Sequence, residues 1–205
     1  MDQEIENIQI QSEVQDKILL AALKLFVGKG YFNTSLIDIK DAAGIKTTAT
    51  IYQHFKTKQM IAAQLHANIL ESLNVSIDDI KRKNEKPSEQ LRGIVDLLFK
   101  LTDEAPDVMR FLLIVNVNEF LPDAKPRHES TPFIKIIRII EAGVKAGELR
   151  TITPQLGYAE FFGIIENILR LVLTGFFDRK ADFYQSQAWL AAWNAIVKKN
   201  SAALK

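Results

Sequence analysis

The sequence of 205 residues contains no cysteine, which excludes disulfides, thiolate catalysis and cysteine metal ligands. A reducing cytoplasm is the natural compartment for such a chain, and we expect a cytoplasmic protein. Its three histidines, at positions 54, 66 and 128, are too widely spaced for a metal-binding motif. Nucleophile-elbow and phosphate-loop motifs are absent as well. We therefore expect no enzyme, no catalytic residue, no metal and no cofactor.

Uninterrupted apolar runs and strand-like alternation are also missing. The most apolar segment, residues 158–177, contains Glu160, Glu166 and Arg170, which favours a protein interior over a bilayer. The first residues, MDQEIENIQIQSEV, are acidic and include no apolar stretch, so we expect neither a signal peptide nor a membrane partner. Without internal repeats or alternating segments, the chain is predicted to be all-α, with about nine helices.

Charge is present but unevenly distributed, although the formal net charge is only +1. Residues 1–13 carry four acidic side chains and no basic one, whereas residues 14–60 carry seven lysines against three aspartates. A positive excess in one segment suits phosphate binding. A solvated, lysine-rich helix surface would produce the same pattern, so charge by itself supports nucleic-acid binding weakly.

Apolar residues make up 47% of the chain and recur mostly at helical spacing, which predicts a helical core. Residues 1–12 are interpreted as a frayed polar tail, and residues 121–129 as the longest loop. Between residues 34 and 55 we expect two short helices. Longer helices are predicted at about 14–27, 58–83, 89–102, 106–120, 131–146, 154–177 and 183–199.

The segment 34–55, TSLIDIKDAAGIKTTATIYQHF, indicates two short helices joined by a tight turn. Ser35 can cap the first helix, with Asp38 completing a capping box. Gly44 supplies the left-handed conformation that a helix end prefers. The second helix begins at residue 47 or 48, and Ile51 and Phe55 face inward at i, i+4. Such a helix, with few apolar anchors and many polar side chains, is typical of a helix-turn-helix that enters the DNA major groove.

These residues resemble the N-terminal signature of the tetracycline-repressor (TetR) family of bacterial transcription regulators. The matching motifs cover about a quarter of the chain, from Val14 to Leu65. One departure is the separation of Gly44 and Tyr52, which is eight positions here and usually seven in the family. The motifs lie at Phe26–Tyr31, Thr34–Ile45, Ile51–Phe55 and Lys56–Lys58.

The resemblance implies a helix-turn-helix DNA-binding domain at residues 1–57 and a ligand-binding and dimerisation domain at residues 58–205. It also implies the roles of individual residues, since hydroxyl and ammonium groups bind phosphate while threonine can contact base edges. Phosphate contacts are expected from Thr34, Ser35, Tyr52, His54 and Lys58. Base contacts are expected from Thr47, Thr48 and Ala49, with Thr50 behind them, and Lys46 and Gln53 complete the predicted DNA-binding set.

The C-terminal part is expected to bind a hydrophobic or amphipathic small molecule, because polar residues interrupt its apolar helices. Internal pairing of those polar residues, or simple core packing, is the alternative. The ligand candidates are Asn116, Glu119, Phe120, Arg138, Phe162, Glu166, Asn167 and Arg170. A two-fold four-helix bundle would use the large apolar surface of the last two helices. Its candidate residues are Phe161, Ile165, Ile168, Leu169, Val172, Trp189 and Trp193.

Together these features predict a homodimeric, ligand-responsive repressor that binds a palindromic operator in double-stranded DNA. A helical interaction protein without DNA binding is the competing interpretation. The two differ in salt dependence, since a DNA complex weakens steeply as ionic strength rises.

Overall fold

Nine α-helices form the computed structural model, which describes residues 2–199, with side chains from residue 12 onward. Short 3-10 helices at Val117–Glu119 and Arg127–Glu129 precede α7, and within the described range one isolated bridge joins Leu149 to Val197. The predicted all-α fold is confirmed. The helices are α1 (Asp2–Lys29), α2 (Leu36–Ala42), α3 (Thr48–His54), α4 (Lys58–Lys83), α5 (Pro87–Glu104), α6 (Pro106–Leu113), α7 (Thr131–Lys145), α8 (Pro154–Leu173) and α9 (Ala181–Ile196).

Two helices differ from their predicted bounds by more than four residues at one end. The first begins at Asp2, so the expected polar tail is wrong for residues 2–12. No glycine or proline interrupts that segment, and helix propagation therefore costs little there. The sixth ends at Leu113 and not at Phe120. Beyond it, the side chain of Asn116 accepts a hydrogen bond from the Asn118 backbone at 3.2 Å, a local bond that competes with helix continuation.

The chain packs as two compact units, residues 1–69 with 110–124 and residues 70–109 with 125–205. The first is larger than the predicted domain 1–57 because it includes the first half of α4 and a segment from the middle of the chain. Ile61 and Leu65 are buried in α4, whereas Met60 is 46% exposed. Met60 lies one position before Ile61, which turns its side chain about 100° away from the buried stripe.

The core of the first unit joins α1 to the two short helices. Ile18 and Phe26 of α1 are buried, and so is Ile39 of α2. The ring of Tyr31, which follows α1, lies 5.4 Å from the Phe26 ring and 5.5 Å from the Phe120 ring. Burying each large apolar side chain contributes roughly 1.5–3 kcal/mol, so this core holds the short helices in place.

The second unit is built on α5, α7, α8 and α9, with α8 packed on both α7 and α9. Gly157 lets α8 lie close to α7, since a Cβ there would stand 2.9 Å from a methyl carbon of Ile140. The carboxylate of Asp103 in α5 accepts hydrogen bonds from the Ala181 and Asp182 amides at 2.7 and 3.0 Å. A residue distant in sequence therefore caps α9.

Candidate nucleic-acid interface

A capping box fixes the start of α2, as predicted. The Ser35 hydroxyl oxygen accepts a hydrogen bond from the Asp38 amide at 3.1 Å, and Asp38 Oδ2 accepts one from the Ser35 amide at 2.7 Å. The same carboxylate accepts a hydrogen bond from the Ser35 hydroxyl and forms an ion pair with Lys29 at 3.0 Å. These hydrogen bonds hold the pKa of Asp38 well below its usual range, and the bond from the Ser35 side chain contributes most.

The turn between the two short helices depends on Gly44, whose φ of 67° is left-handed. Its amide donates to the Asp41 carbonyl at 3.1 Å, and the Ile45 amide donates to the Lys40 carbonyl at 3.0 Å. Residues 43–47 connect the helices, so the long separation of glycine and tyrosine is accommodated between Gly44 and an α3 that begins at Thr48. The predicted helix-turn-helix is confirmed.

The third helix presents one face outward. Ile51 and Phe55, at 0% and 4% exposure, anchor the opposite side in the core, as predicted. The outward positions, which we call the recognition face, are Ala49, Tyr52 and Gln53. Gln53 was predicted to bind DNA without a choice between base and phosphate, and its amide can form the two hydrogen bonds that distinguish adenine in the major groove.

The remaining predicted DNA contacts near α3 lie at its edges. The side chains of Thr48, Thr50 and His54 are half-buried, flanking the recognition face. Thr47 is the N-cap residue, and its Oγ1 lies 3.3 Å from Oγ1 of Thr50. Lys46 is exposed just before the helix. Their contacts with bases or phosphates stay predictions.

Two of the predicted phosphate contacts have structural roles. Thr34 is 1% exposed, and its hydroxyl donates to the Gly30 carbonyl at 2.8 Å, so it offers no donor to a phosphate. Lys58 Nζ donates to the carbonyls of Tyr31 and Thr34 at 2.8 Å each, and it lies 4.3 Å from the Tyr31 ring centre. Burial lowers the pKa of Lys58. This lysine fastens the 31–34 turn to α4.

Part of the lysine excess is neutralised within the unit. Lys29 pairs with Asp38 at 3.0 Å, and Lys40 pairs with Asp41 at 2.7 Å. Lys46 and Lys56, by contrast, are exposed at the two ends of α3. Lys56 was not among the predicted contacts, although its position directly after the helix was visible in the sequence. Two cations therefore flank the recognition face, where phosphates of a bound duplex would lie.

This arrangement of two helices, an exposed polar face and flanking cations defines a DNA-binding helix-turn-helix. Residues 18–65 match the family model of the tetR family of bacterial regulatory proteins. The fold comparison agrees: a TetR family transcription regulator from Marinobacter aquaeolei VT8 superposes with a TM-score of 0.74 at 20% identity, covering 93% of this chain and 99% of that one. Residues 18–65 therefore carry the tetR-family signature, and the chain shares its fold with a TetR family transcription regulator.

Two curated relatives support this assignment. The HTH-type transcriptional regulator TtgR of Pseudomonas putida is 34% identical over 115 residues, 56% of this chain and 46% of that protein. The chain thus matches about half the length of that relative. An uncharacterized HTH-type regulator of Bacillus subtilis, YfiR, is 26% identical over 82% of this chain and 83% of its own length.

The predicted ligand residues are divided between the two units and between core and surface. In the first unit Phe120 is core, Asn116 is exposed and Glu119 is half-buried in a 3-10 helix, so these residues do not interrupt an apolar helix as predicted. In the second unit Phe162 is buried and Glu166 half-buried. Exposed positions are occupied by Arg138, Asn167 and Arg170, which corrects their assignment to an interior pocket.

Three residues that were not predicted join Phe162 and Glu166 in what we call the aromatic–ionic cluster: Arg127, Phe133 and Tyr158. The Phe162 ring stacks on Tyr158 at 5.2 Å and meets Phe133 edge-on at 5.6 Å. Arg127 lies 5.6 Å from the Phe133 ring centre and forms an ion pair with Glu166. Burial, above all, raises the pKa of Tyr158 to about 12. The i, i+4 spacing of Tyr158 and Phe162 was the available signal.

The predicted dimer residues face largely inward. Phe161, Ile165 and Leu169 are at most 1% exposed within the chain, so they cannot contact a partner, and this part of the prediction is wrong. Ile168, Val172, Trp189 and Trp193 are half-buried. The exposed residues of α8 and α9, together with Thr174, are here called the outward face: Gln155, Leu156, Ala159, Gly163, Asn167, Arg170, Thr174, Asp182, Phe183, Ser186, Gln187, Leu190, Ala191 and Asn194.

No helix among the described residues is long and apolar enough to cross a membrane. Within residues 2–199, no group of three or more histidine, aspartate or glutamate side chains could hold a metal ion.

Proposed function

We propose that this chain is a transcriptional regulator that binds a palindromic operator in double-stranded DNA as a homodimer and acts as a repressor. The observation that carries the proposal is the geometry of α3. Ile51 and Phe55 fix the helix to the core, and Ala49, Tyr52 and Gln53 are thereby held outward. A dimer would present two such helices to half-sites about one helical turn, ~34 Å, apart.

The outward face of α8 and α9 supports dimer formation. Only Arg170 and Asp182 on it are charged, and it contains Leu156 and Leu190 at 51% and 57% exposure. Ala159 and Gly163 are small enough to let a partner helix approach closely. Depletion of charge in an exposed apolar surface is typical of an interface core. A four-helix bundle formed by two copies of α8 and α9 would cover this face.

The aromatic–ionic cluster is our candidate for effector binding. Its three rings provide apolar surface, and Arg127, Glu166 and the Tyr158 hydroxyl provide polar groups that could orient an amphipathic molecule. The described helix α4 belongs to both packing units, with residues 58–69 in the first and 70–83 in the second. We propose that effector binding is transmitted along α4 from Lys58 and shifts the dimer toward a spacing that does not fit the operator.

The test begins with recovery of bound genomic fragments by the purified protein, followed by titration of one fragment at several salt concentrations. We expect affinity to fall steeply with salt, since each neutralised phosphate contributes a slope of about −0.9 in the logarithmic plot. Lys46→Ala and Lys56→Ala should each reduce the slope by about one. Salt-independent binding, or no binding under any condition, would leave a helical interaction protein as the better interpretation.

Variants of α3 separate base contacts from phosphate contacts. Gln53→Ala and Thr48→Ala should change which operator sequences are preferred, at a cost of about 1–3 kcal/mol on the best site. Tyr52→Phe should weaken all sequences about equally because the hydroxyl would contact phosphate. If Gln53→Ala and Thr48→Ala leave the ranking of operator variants unchanged, the assignment of base contacts to them is wrong.

A further inference from the structure

A surface groove in the second unit lies between the start of α5 and one side of α9. Its volume is about 480 Å³, within the range of about 300–1,000 Å³ typical of small-molecule sites. It shares no residue with the aromatic–ionic cluster or with the outward face. The side chains that matter most in its lining are Ser88, Glu89, Arg92, Asp96, Trp189 and Trp193.

Both tryptophans of the chain line this groove. Their rings are nearly parallel, at 12°, with centres 5.3 Å apart. Trp189 is also approached by the edge of the Phe161 ring at 5.9 Å and by the Arg92 guanidinium at 5.1 Å. For Trp193, no ring contact other than Trp189 is found among the described residues. Trp193 is half-buried and lines the groove, so the part of its indole that faces the groove can contact a planar ligand.

The charges in the groove favour a cation. Asp96 Oδ1 accepts hydrogen bonds from Arg92 Nε at 2.9 Å and from Gln185 Nε2 at 2.5 Å, so the arginine is already neutralised. Glu89 is exposed and has no ion pair within residues 12–199. It lies in the first turn of α5, where the helix dipole stabilises a carboxylate. The groove thus carries one uncompensated negative charge beside the indole of Trp193.

From these contacts we infer that the groove binds a planar aromatic cation. The ring stacks on Trp193, and the cationic group, an amidinium or ammonium, is attracted by the indole and by the Glu89 carboxylate. An anion would meet that carboxylate with repulsion, and a neutral aromatic ring would gain stacking alone. Nothing in this inference depends on DNA binding, so it can be tested on the intact protein without operator.

Benzamidinium and benzamide form a matched pair of probes, since they are similar in shape and differ in charge. Because both tryptophans line the groove, their fluorescence reports directly on it. We expect a saturable change with benzamidinium, which should bind about threefold to tenfold more tightly than benzamide. Raising the salt concentration should narrow that ratio because screening weakens the carboxylate's contribution.

Variants of Glu89 and Trp193 separate the charge attraction from the ring stacking. Glu89→Gln should abolish the preference for benzamidinium while benzamide binding is retained, and Glu104→Gln, an exposed position on the same helix, should leave the preference intact. Calorimetry should show that Trp193→Phe retains binding and that Trp193→Leu loses it. Circular dichroism would establish that each variant is folded.

Three results would each overturn the inference. They are equal binding of the two probes, an unchanged preference in Glu89→Gln, and the absence of any saturable signal. Tyr52→Phe, in the other packing unit, should behave as the parent protein in every one of these assays.

Discussion

The recognition helix α3 and the C-terminal helices α8 and α9 expose their surfaces in opposite ways. On α3 the buried side consists of two apolar anchors, Ile51 and Phe55, and the exposed side consists of Ala49, Tyr52 and Gln53. On α8 and α9 many large apolar side chains are buried within the chain, and most of the exposed residues are small or uncharged, although Leu156, Phe183 and Leu190 are also exposed. In a short polar helix, the positions of the large apolar residues therefore predict which side is buried. In a long apolar helix, they do not predict which side is left for a partner.

The largest expected effect is on assembly, and it tests the outward face directly. Leu190→Asp places a charge at its centre, where burial against a partner would be costly. We expect dissociation to monomers in analytical ultracentrifugation, with operator affinity lowered by about a hundredfold or more because two linked half-sites become separate ones. Val75→Asp, at a similarly exposed position of α4, should remain dimeric. A dimeric Leu190→Asp protein would place the interface elsewhere.

The second effect concerns the anchors of α3. Ile51→Ala removes a fully buried side chain and should cost about 2–5 kcal/mol, measured as faster hydrogen exchange of residues 36–55. Tyr52→Ala, on the recognition face, should change this exchange by less than about 0.5 kcal/mol while abolishing its DNA contact. Equal protection in the two variants would mean that the two sides of α3 do not differ as described.

The third effect separates the two lysines that border α4 and α3. Lys58→Met removes two hydrogen bonds from a charged group to the 31–34 turn, which should destabilise the first unit by about 1.5 kcal/mol or more. Lys56→Met should leave stability unchanged and reduce only the salt dependence of DNA binding. Hydrogen exchange of residues 31–39 provides the measurement. Loss of DNA affinity in Lys58→Met with unchanged exchange would instead indicate a direct phosphate contact.

The smallest effect is on the pH dependence of the first unit. His66 lies with its ring 6.4 Å from that of Phe120, and burial lowers its pKa. The unfolded chain therefore binds a proton on His66 more readily than the folded chain does. The contribution of His66 to the free energy of unfolding is fully present above about pH 6.5, and it is lost as the pH falls toward the lower pKa of the folded state. Urea unfolding at pH 7.5 and 5.5 should show a smaller loss for His66→Gln than for the parent protein. Equal losses would exclude His66 as the source.

Sequence reasoning succeeded where local chemistry decides the conformation. The capping box of Ser35 and Asp38, the left-handed Gly44 and the inward positions of Ile51 and Phe55 all follow from neighbours within four residues. It failed for the role of Thr34, whose hydroxyl bonds to a carbonyl of the preceding turn. Nothing in a threonine before a helix distinguishes a buried hydroxyl from a phosphate contact.

Contacts between residues far apart in the chain could not be predicted from the sequence for a related reason. Arg127 pairs with Glu166, and Tyr158 stacks in the same cluster, although the i, i+4 spacing within α8 favours a pair of Glu166 with Arg170. The local pair exists at 3.8 Å, but the residue from a distant loop is nearer. The recruitment of residues 110–124 into the first unit likewise depends on Tyr31 meeting Phe120, far along the chain.

By itself, the sequence determined that this chain is helical, that residues 34–55 form a helix-turn-helix and that positive charge gathers around it. Those properties arise from periodicity, capping and composition, which are local. Only the tertiary structure decided which apolar residues of α8 and α9 remain at the surface, and that Lys58 fastens a turn to α4. Burial depends on which helices pack against each other, and no periodicity within a single helix specifies its neighbours.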